Sequence, residues 1–379
     1  MKFIPYGRQT LDRADINSVI KTLRSGWITQ GPKIQEFEKA ICRYTGAKYA
    51  VAVSSGTAAL HLSCLAAGIG KGDEVITSPI TFVASANSVL YCGGKPVFAD
   101  IQEDTVNIDP HEVGKMITKN TRAIIPVDFA GHPVEAEQIR EIARKKGLLV
   151  IEDASHAFGA EYKKNKVGSC RFSDITTFSF HPVKHITTGE GGAATTNRKD
   201  LFEKLLLLRN HGITKDKKKI TGWDGPWWYE QQSLGFNYRI TDFQCSLGIS
   251  QLKKIDNFLI KRRKIASIYN KNLKGVKKIL LPVERLDVKS SWHLYYIRLK
   301  NTEDRRVVYQ KLRNAGIGAQ VHYIPVHLQP YYRKTFGYKE GDYKKAEEYY
   351  RQTISIPLYP AMKNEEVLYV INVLKKIFK

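Results

Sequence analysis

The sequence predicts an α/β protein with a mostly parallel central sheet flanked by helices, followed by a smaller C-terminal α+β domain. Three observations carry this expectation. Strand-length apolar runs alternate with helix-period segments over the first two-thirds of the chain, the pattern of a sheet covered on both faces. The pattern changes near residue 250, which sets the expected domains at 1–250 and 251–379. The chain has 379 residues, ample for two cores.

Ile34, Phe37, Ile41 and Tyr44 recur at helical spacing between Pro32 and Gly46, which punctuate start and stop. Tyr49–Val53 reads as a buried strand and 57–67 as a helix. Glu74–Thr77 (strand) leads to a helix at 82–90. Residues 123–127 (strand) lead to a helix at 135–146 and a strand at 148–152. Segments 174–179 and 192–196 read as further strands. Gly68, Gly70 and Gly72 follow a helix and precede a strand, so they form a turn and not a dinucleotide loop. Segment 210–233, with Trp223, Trp227 and Trp228, interrupts the alternation. A long irregular stretch of this kind is either functional or an aromatic-anchored loop. Residues 241–259 return to a helix. In the C-terminal unit 294–299 reads as a strand, 305–315 as a helix, 320–322 as a strand and 343–352 as a helix.

Five scattered cysteines without a Cys-x-x-Cys pair argue against a disulfide framework or a zinc site. No metal is expected. No run is long and apolar enough to span a bilayer, and the first residues lack the apolar core of a signal peptide, so a cytoplasmic location is expected. The net charge of +23 invites a nucleic-acid reading. The basic runs at 215–219 and 261–264 lie in no nucleic-acid-binding motif, so solvated helix faces are the preferred explanation. A basic balance also favours encounter with a diphosphate-bearing substrate.

Three segments supply what pyridoxal 5'-phosphate (PLP) requires. Ser54-Ser55-Gly56-Thr57-Ala58 lies between a strand and a helix, where free N–H groups and the helix dipole favour a dianion. Gly56 permits close backbone approach and Thr57 adds a hydroxyl. Alone, the segment is an ordinary cap. The apolar strand at 148–152 ends in Glu152-Asp153, and ligands of parallel sheets bind at the carboxyl ends of their strands. Asp153 is the candidate acid for the pyridine nitrogen, with Glu152 on the opposite side by strand alternation. His156 either orients Asp153, the preferred reading, or satisfies a buried polar contact. Lys184 follows Ser179 by five positions and precedes the cluster Gly189-Glu190-Gly191-Gly192. A lysine there can hold the cofactor's aldehyde as a Schiff base while Ser179 contributes to the phosphate site. Phe82 follows another strand and either stacks on the ring or fills the core.

These segments resemble, essentially end to end, the DegT/DnrJ/EryC1/StrS family of PLP-dependent sugar aminotransferases. The resemblance is carried by Ser-Ser-Gly-Thr-Ala-Ala-Leu (54–60), Glu-Asp-Ala-Ser-His-Ala (152–157), Ser-Phe-His-Pro-Val-Lys (179–184), Gly-Glu-Gly-Gly (189–192), Arg-Asn-His-Gly (209–212) and Gly-Phe-Asn-Tyr-Arg-Ile-Thr-Asp (235–242). It implies the aspartate aminotransferase type I fold, with PLP alternating with pyridoxamine phosphate. Catalysis is then expected from Lys184 and Asp153, and cofactor binding from Gly56, Thr57, Ala58, Phe82, Asp153, His156, Ser179 and Lys184. Asn237 is expected to reach the cofactor phosphate of a neighbouring subunit in a homodimer with shared sites. Tyr6, Gly26, Trp27, Ile28 and Thr29 are expected to touch a nucleotide sugar, joined by His322, Tyr323, Ile324 and Pro325. His-Pro-Val-Lys-His-Ile-Thr-Thr (181–188) and the Trp-rich segment most resemble the family's pseudaminic acid branch. That branch implies L-glutamate as donor and a UDP-linked 4-keto-6-deoxy-N-acetylhexosamine as acceptor. The alternatives are a dTDP- or GDP-linked ketosugar aminated at C3 or C4, and, from a different class, a DNA-binding regulator. Neither nucleic acid nor membrane is an expected partner.

Overall fold

The computed structural model describes residues 3–300 and 304–379. A seven-stranded sheet centres the larger lobe. Its strands are β1 (Tyr49–Val53), β2 (Glu74–Thr77), β3 (Lys95–Phe98), β4 (Thr121–Ile125) and β5 (Leu149–Asp153). After the short strands β6 (Glu161–Tyr162) and β7 (Asn165–Lys166) come β8 (Ile175–Ser179) and β9 (Gly192–Thr196). The spatial order is β1-β9-β8-β5-β4-β2-β3. The β3–β2–β4–β5–β8 pairs are parallel, whereas β9 runs antiparallel to both β8 and β1. A parallel return needs a long crossover, usually a helix. The loop 180–191 holds no helix, so β9 turns straight back and makes that loop a hairpin tip.

The helices of this lobe are α1 (Arg13–Leu23), α2 (Pro32–Thr45), α3 (Gly56–Ala66), α4 (Ala84–Tyr91), α5 (Pro110–Met116), α6 (Ala136–Lys146), α7 (Lys199–Arg209) and α8 (Asp242–Leu252). Pro32 opens α2 at a position where its missing N–H costs nothing, and Gly46 closes it in the left-handed region at φ +85°. Strand alternation distributes β1 between two cores. Ala50 and Ala52 face Phe37, Ile41 and Phe178 on one side. Val51 and Val53 face α3 and α7 on the other. Helix α3 is apolar nearly all round because it lies between the sheet and its neighbours α4 and α7.

Beyond the two-stranded ribbon of β10 (Ile213–Thr214) and β11 (Glu230–Gln231), the chain enters a second core through α9 (Ile255–Leu273). There β12 (Ile279–Leu280), β14 (Tyr295–Leu299) and β15 (Thr353–Ile356) form an antiparallel sheet, while β13 (Val288–Lys289) pairs with β6 of the larger lobe. Helices α10 (Arg305–Asn314), α11 (Pro330–Phe336), α12 (Lys344–Gln352) and α13 (Asn364–Ile377) complete the chain. Ile4 packs into this C-terminal core and bridges to Ile317. Its carbonyl accepts from Gly318 N–H at 2.7 Å, and the Tyr6 carbonyl accepts from Leu358 N–H. We propose the division at 1–250 and 251–379, with Ile4 an N-terminal residue that belongs to the C-terminal core.

Two sequence expectations need correction. The helix expected over 241–259 breaks at Lys253 and Lys254 into α8 and α9. No Gly or Pro marks the break: α8 packs on α1 and α2, α9 packs on α13, and the turn lets one segment serve both. The strand expected at 320–322 amounts to a single bridge, Gln320 to Ser355.

Candidate active site

Strand β5 delivers Asp153, β8 delivers Ser179, and the turn after β1 delivers Ser55, Gly56 and Thr57, all at the carboxyl ends of their strands. They line a cavity of about 420 Å³, within the usual range for a cofactor or small-ligand site. Lys184 enters it from the hairpin tip. That tip is pinned by Phe180 N–H to the Gly191 carbonyl (2.8 Å), Thr188 N–H to the Phe180 carbonyl (3.0 Å) and Lys184 N–H to the His181 carbonyl (2.9 Å).

The start of α3 is shaped for a compact anion. Ser55 caps it, its hydroxyl accepting from Ala58 N–H at 3.0 Å. A Cβ on Gly56 would lie 2.8 Å from Ser179 Cβ, and one on Gly192 would lie 2.4 Å from the Ser55 carbonyl oxygen. Only glycine at these two positions lets the helix start settle between β8 and β9. The N–H groups of Gly56 and Thr57 have no partner within the helix, and the hydroxyls of Thr57 and Ser179 share the cavity wall with them. This cradle fits a phosphate.

Asp153 is held by hydroxyls. Ser85 donates to Oδ2 at 2.6 Å and Ser155 to Oδ1 at 2.6 Å, with Ser155 N–H on Oδ1 at 3.1 Å. Thr81 supports Ser85 at 2.7 Å. Glu152 faces away, as alternation requires, and accepts from Thr176 and Ser173. His156 does not orient Asp153: its Nε2 meets the Tyr323 hydroxyl at 3.2 Å, and its Nδ1 is buried without a partner. The preferred reading of His156 is therefore corrected. A hydroxyl two residues beyond the acid closes a local turn more readily than an imidazole three residues away.

Burial pulls the Lys184 amine down to about 8, against the opposing charge of Asp153. Burial also holds His156 well below the usual imidazole range and takes His322 to about 4, with Lys184 adding to both. Tyr6, Phe82, His322 and Tyr323 line the opposite wall. The Tyr6 and His322 rings lie 5.5 Å apart and those of Phe82 and Tyr323 6.3 Å apart. Phe82 is exposed, which removes the core reading for it.

Not every expected residue reaches the cavity. Ala58 is buried behind it, with its N–H already taken by Ser55. Gly26, Trp27, Ile28 and Thr29 lie elsewhere, with Trp27 and Ile28 exposed and Thr29 bridged to Thr241. Ile324 is exposed and Pro325 buried, both off the lining. Asn237 is exposed, bridges to Asn210 and does not line this cavity. The sequence reading missed Ser85 and Ser155. Ser155 was findable from the Asp-x-Ser spacing; Ser85 was not, because 68 positions separate it from its partner.

The family whose pattern fits this site matches residues 9–375. The chain belongs to the DegT/DnrJ/EryC1/StrS aminotransferase family. It is 42% identical to the spore coat polysaccharide biosynthesis protein SpsC of Bacillus subtilis, over 100% of this chain and 97% of that protein. It is 41% identical to the UDP-4-amino-4,6-dideoxy-N-acetyl-beta-L-altrosamine transaminase of Campylobacter jejuni serotype O:23/36, over 99% of this chain and 98% of that one. Its fold superimposes on Helicobacter pylori PseC, an aminotransferase of pseudoaminic acid biosynthesis. That match has a TM-score of 0.93 at 36% identity, covering 100% and 99% of the two chains. The chain is thus a PLP-dependent sugar aminotransferase of the aspartate aminotransferase type I fold. Among the described residues no helix is long and apolar enough to cross a membrane.

Proposed function

We propose that this enzyme moves the amino group of L-glutamate to C4 of UDP-2-acetamido-2,6-dideoxy-beta-L-arabino-hex-4-ulose, giving UDP-4-amino-4,6-dideoxy-N-acetyl-beta-L-altrosamine for pseudaminic acid synthesis in the cytoplasm. The observation that carries the chemistry is the meeting of Lys184, Asp153 and the α3 cradle in one cavity. Similarity to the Campylobacter and Helicobacter enzymes supports the substrate.

When bound, PLP supplies an aldehyde that carries the amino group and a protonated ring that accepts an electron pair. Lys184 Nζ would hold its aldehyde carbon. Gly56, Thr57 and Ser179 would hold its phosphate, and Asp153 would face its ring nitrogen and keep it protonated. Once displaced by the donor, the Lys184 amine is a base close to neutral pH. It takes the proton from the donor's Cα and, in the second half, delivers one to C4 of the sugar. The side from which Lys184 enters sets the configuration of the new C–N centre. Tyr6, His322 and Tyr323 would receive the sugar.

The cavity lining includes one lysine and no arginine, yet cofactor, nucleotide diphosphate and glutamate all bring negative charge. A homodimer in which each chain completes the other's site resolves this. Asn237 and the exposed Lys215, Lys217 and Lys218 of the ribbon segment, with Trp223 and Trp227, are the donors offered to the partner.

The test is amination of a panel of UDP-, dTDP- and GDP-linked ketosugars with glutamate, the products identified by NMR. Conversion of only a dTDP or GDP sugar would overturn the substrate and leave the reaction standing. The comparable similarity to SpsC favours, as second reading, a different nucleotide-linked ketosugar used in a polysaccharide.

A further inference from the structure

Directly behind Asp153 lie two more carboxyl groups, Asp128 and Glu152. Asp128 is 0% exposed and Glu152 8%. Their side chains touch each other. Asp128 Oδ1 accepts from Val134 N–H at 2.9 Å, whereas its Oδ2 is buried with no donor. Glu152 Oε2 accepts from Thr176 at 2.7 Å and Ser173 at 3.4 Å. Among the described residues no ion pair reaches either carboxyl, and no acidic group is arranged to hold a metal ion. The titratable groups facing the pair are Asp153, next on the same strand, and the Cys170 thiol, which burial pushes up to about 11. Neither brings positive charge.

Two buried, touching carboxylates without a cation cannot both stay ionised. An Oδ2 without a donor is an unmet acceptor only if it carries no proton; protonated, it becomes a donor aimed at its neighbour. We propose that Asp128 and Glu152 share one proton at neutral pH, held on Asp128 Oδ2 and donated to the Glu152 carboxylate. Burial first, and Glu152 second, push Asp128 well above the usual carboxylate range.

The pair is tied to the reaction through the backbone. Asp128 N–H donates to the Asp153 carbonyl at 3.1 Å, Asp153 N–H donates to the Pro126 carbonyl at 2.9 Å, and Val127, between them, lines the cavity. Asp128 is therefore a positioning residue. While the proton is shared, the end of β5 and residues 126–128 lie side by side. Loss of the proton at alkaline pH sets two like charges in contact and drives this edge apart, moving Asp153.

The direct test is infrared spectroscopy of the PLP-loaded enzyme near neutral pH. A protonated carboxyl band is expected that shifts on isotopic labelling of aspartate carboxyls and is missing from Asp128→Asn. Absence of the band, its persistence in Asp128→Asn, or a shift only with labelled glutamate overturns the assignment. The labelling arm uses the unaltered chain, so it decides even if the variant does not fold. A second readout is stability against pH. Above about pH 4 an unfolded aspartate has released its proton, while the folded chain retains this one. Stability that is full below that range is then lost as pH rises toward the folded value. The wild-type thermal midpoint should fall by about 2 °C per pH unit relative to Asp128→Asn. Parallel curves would contradict the proposal.

Discussion

The two walls of the cavity are built by different means. The proposed cofactor wall comes from the carboxyl ends of β1, β5 and β8: Asp153 and Ser179 are the last residues of β5 and β8, and Ser55, Gly56 and Thr57 come just after β1. The opposite wall comes from Tyr6, from Phe82 in the loop after β2, and from His322 and Tyr323 far along the chain. The first wall belongs to one rigid sheet and is written in short contiguous motifs. The second is assembled from distant parts of the chain, and Asn237 and the ribbon segment, proposed above to serve a partner's site, do not line this cavity. On the proposed reading the first wall carries the chemistry, and substrate choice falls to the second, where loop shape and partner decide.

The largest expected effect strikes the cofactor wall. Lys184→Ala should lower turnover about 10⁴-fold or more and remove the visible absorbance of tethered cofactor. Sustained turnover with both substrates would refute the role given to Lys184. Asp153→Asn should cost roughly 10²–10³-fold in turnover while leaving the fold intact by circular dichroism; a change confined to KM for the sugar would move Asp153 to the other wall.

The partner's share is tested by mixing. Asn237→Ala should weaken cofactor binding by about 1.5–3 kcal/mol if it meets a phosphate. Heterodimers of Asn237→Ala with Lys184→Ala chains should regain activity, since one of their two sites is intact. No recovery in demonstrated heterodimers would place each site within a single chain. Ser85→Ala removes one of the two hydroxyls on Asp153 and should cost about 1 kcal/mol in cofactor affinity, read by titration of the cofactor-free enzyme.

The smallest effect is a pH limb. Lys184 is a base only when deprotonated, so the rate of proton abstraction should rise with pH and level off above about 8. A limb centred near 10.5, the value of an unburied lysine, would show that the amine is not desolvated.

The same contrast explains what the sequence disclosed. Strand–helix alternation made the parallel sheet legible, and the meeting of Thr57, Asp153, Ser179 and Lys184 in one cavity was legible because each lies at its strand's carboxyl end or a few residues beyond it. The break at Lys253 and Lys254 was not, because tertiary packing and no local signal turns the chain there. Ser85 was invisible for the same reason. His156 was misread because adjacency in sequence stood in for adjacency in space. Gly26, Trp27, Ile28 and Thr29 carry no local pattern that says which cavity they face.

The bridge from Ile4 to Ile317, and the Leu358 bond to Tyr6, also bear on how the molecule is made. During synthesis Ile4 and Tyr6 leave the ribosome long before the residues they dock on, Ile317, Gly318 and Leu358. The segment carrying Tyr6 must wait, undocked, until the chain through Leu358 has emerged. Deleting it should leave nascent chains that accumulate the first core yet never close the mouth of the catalytic chamber.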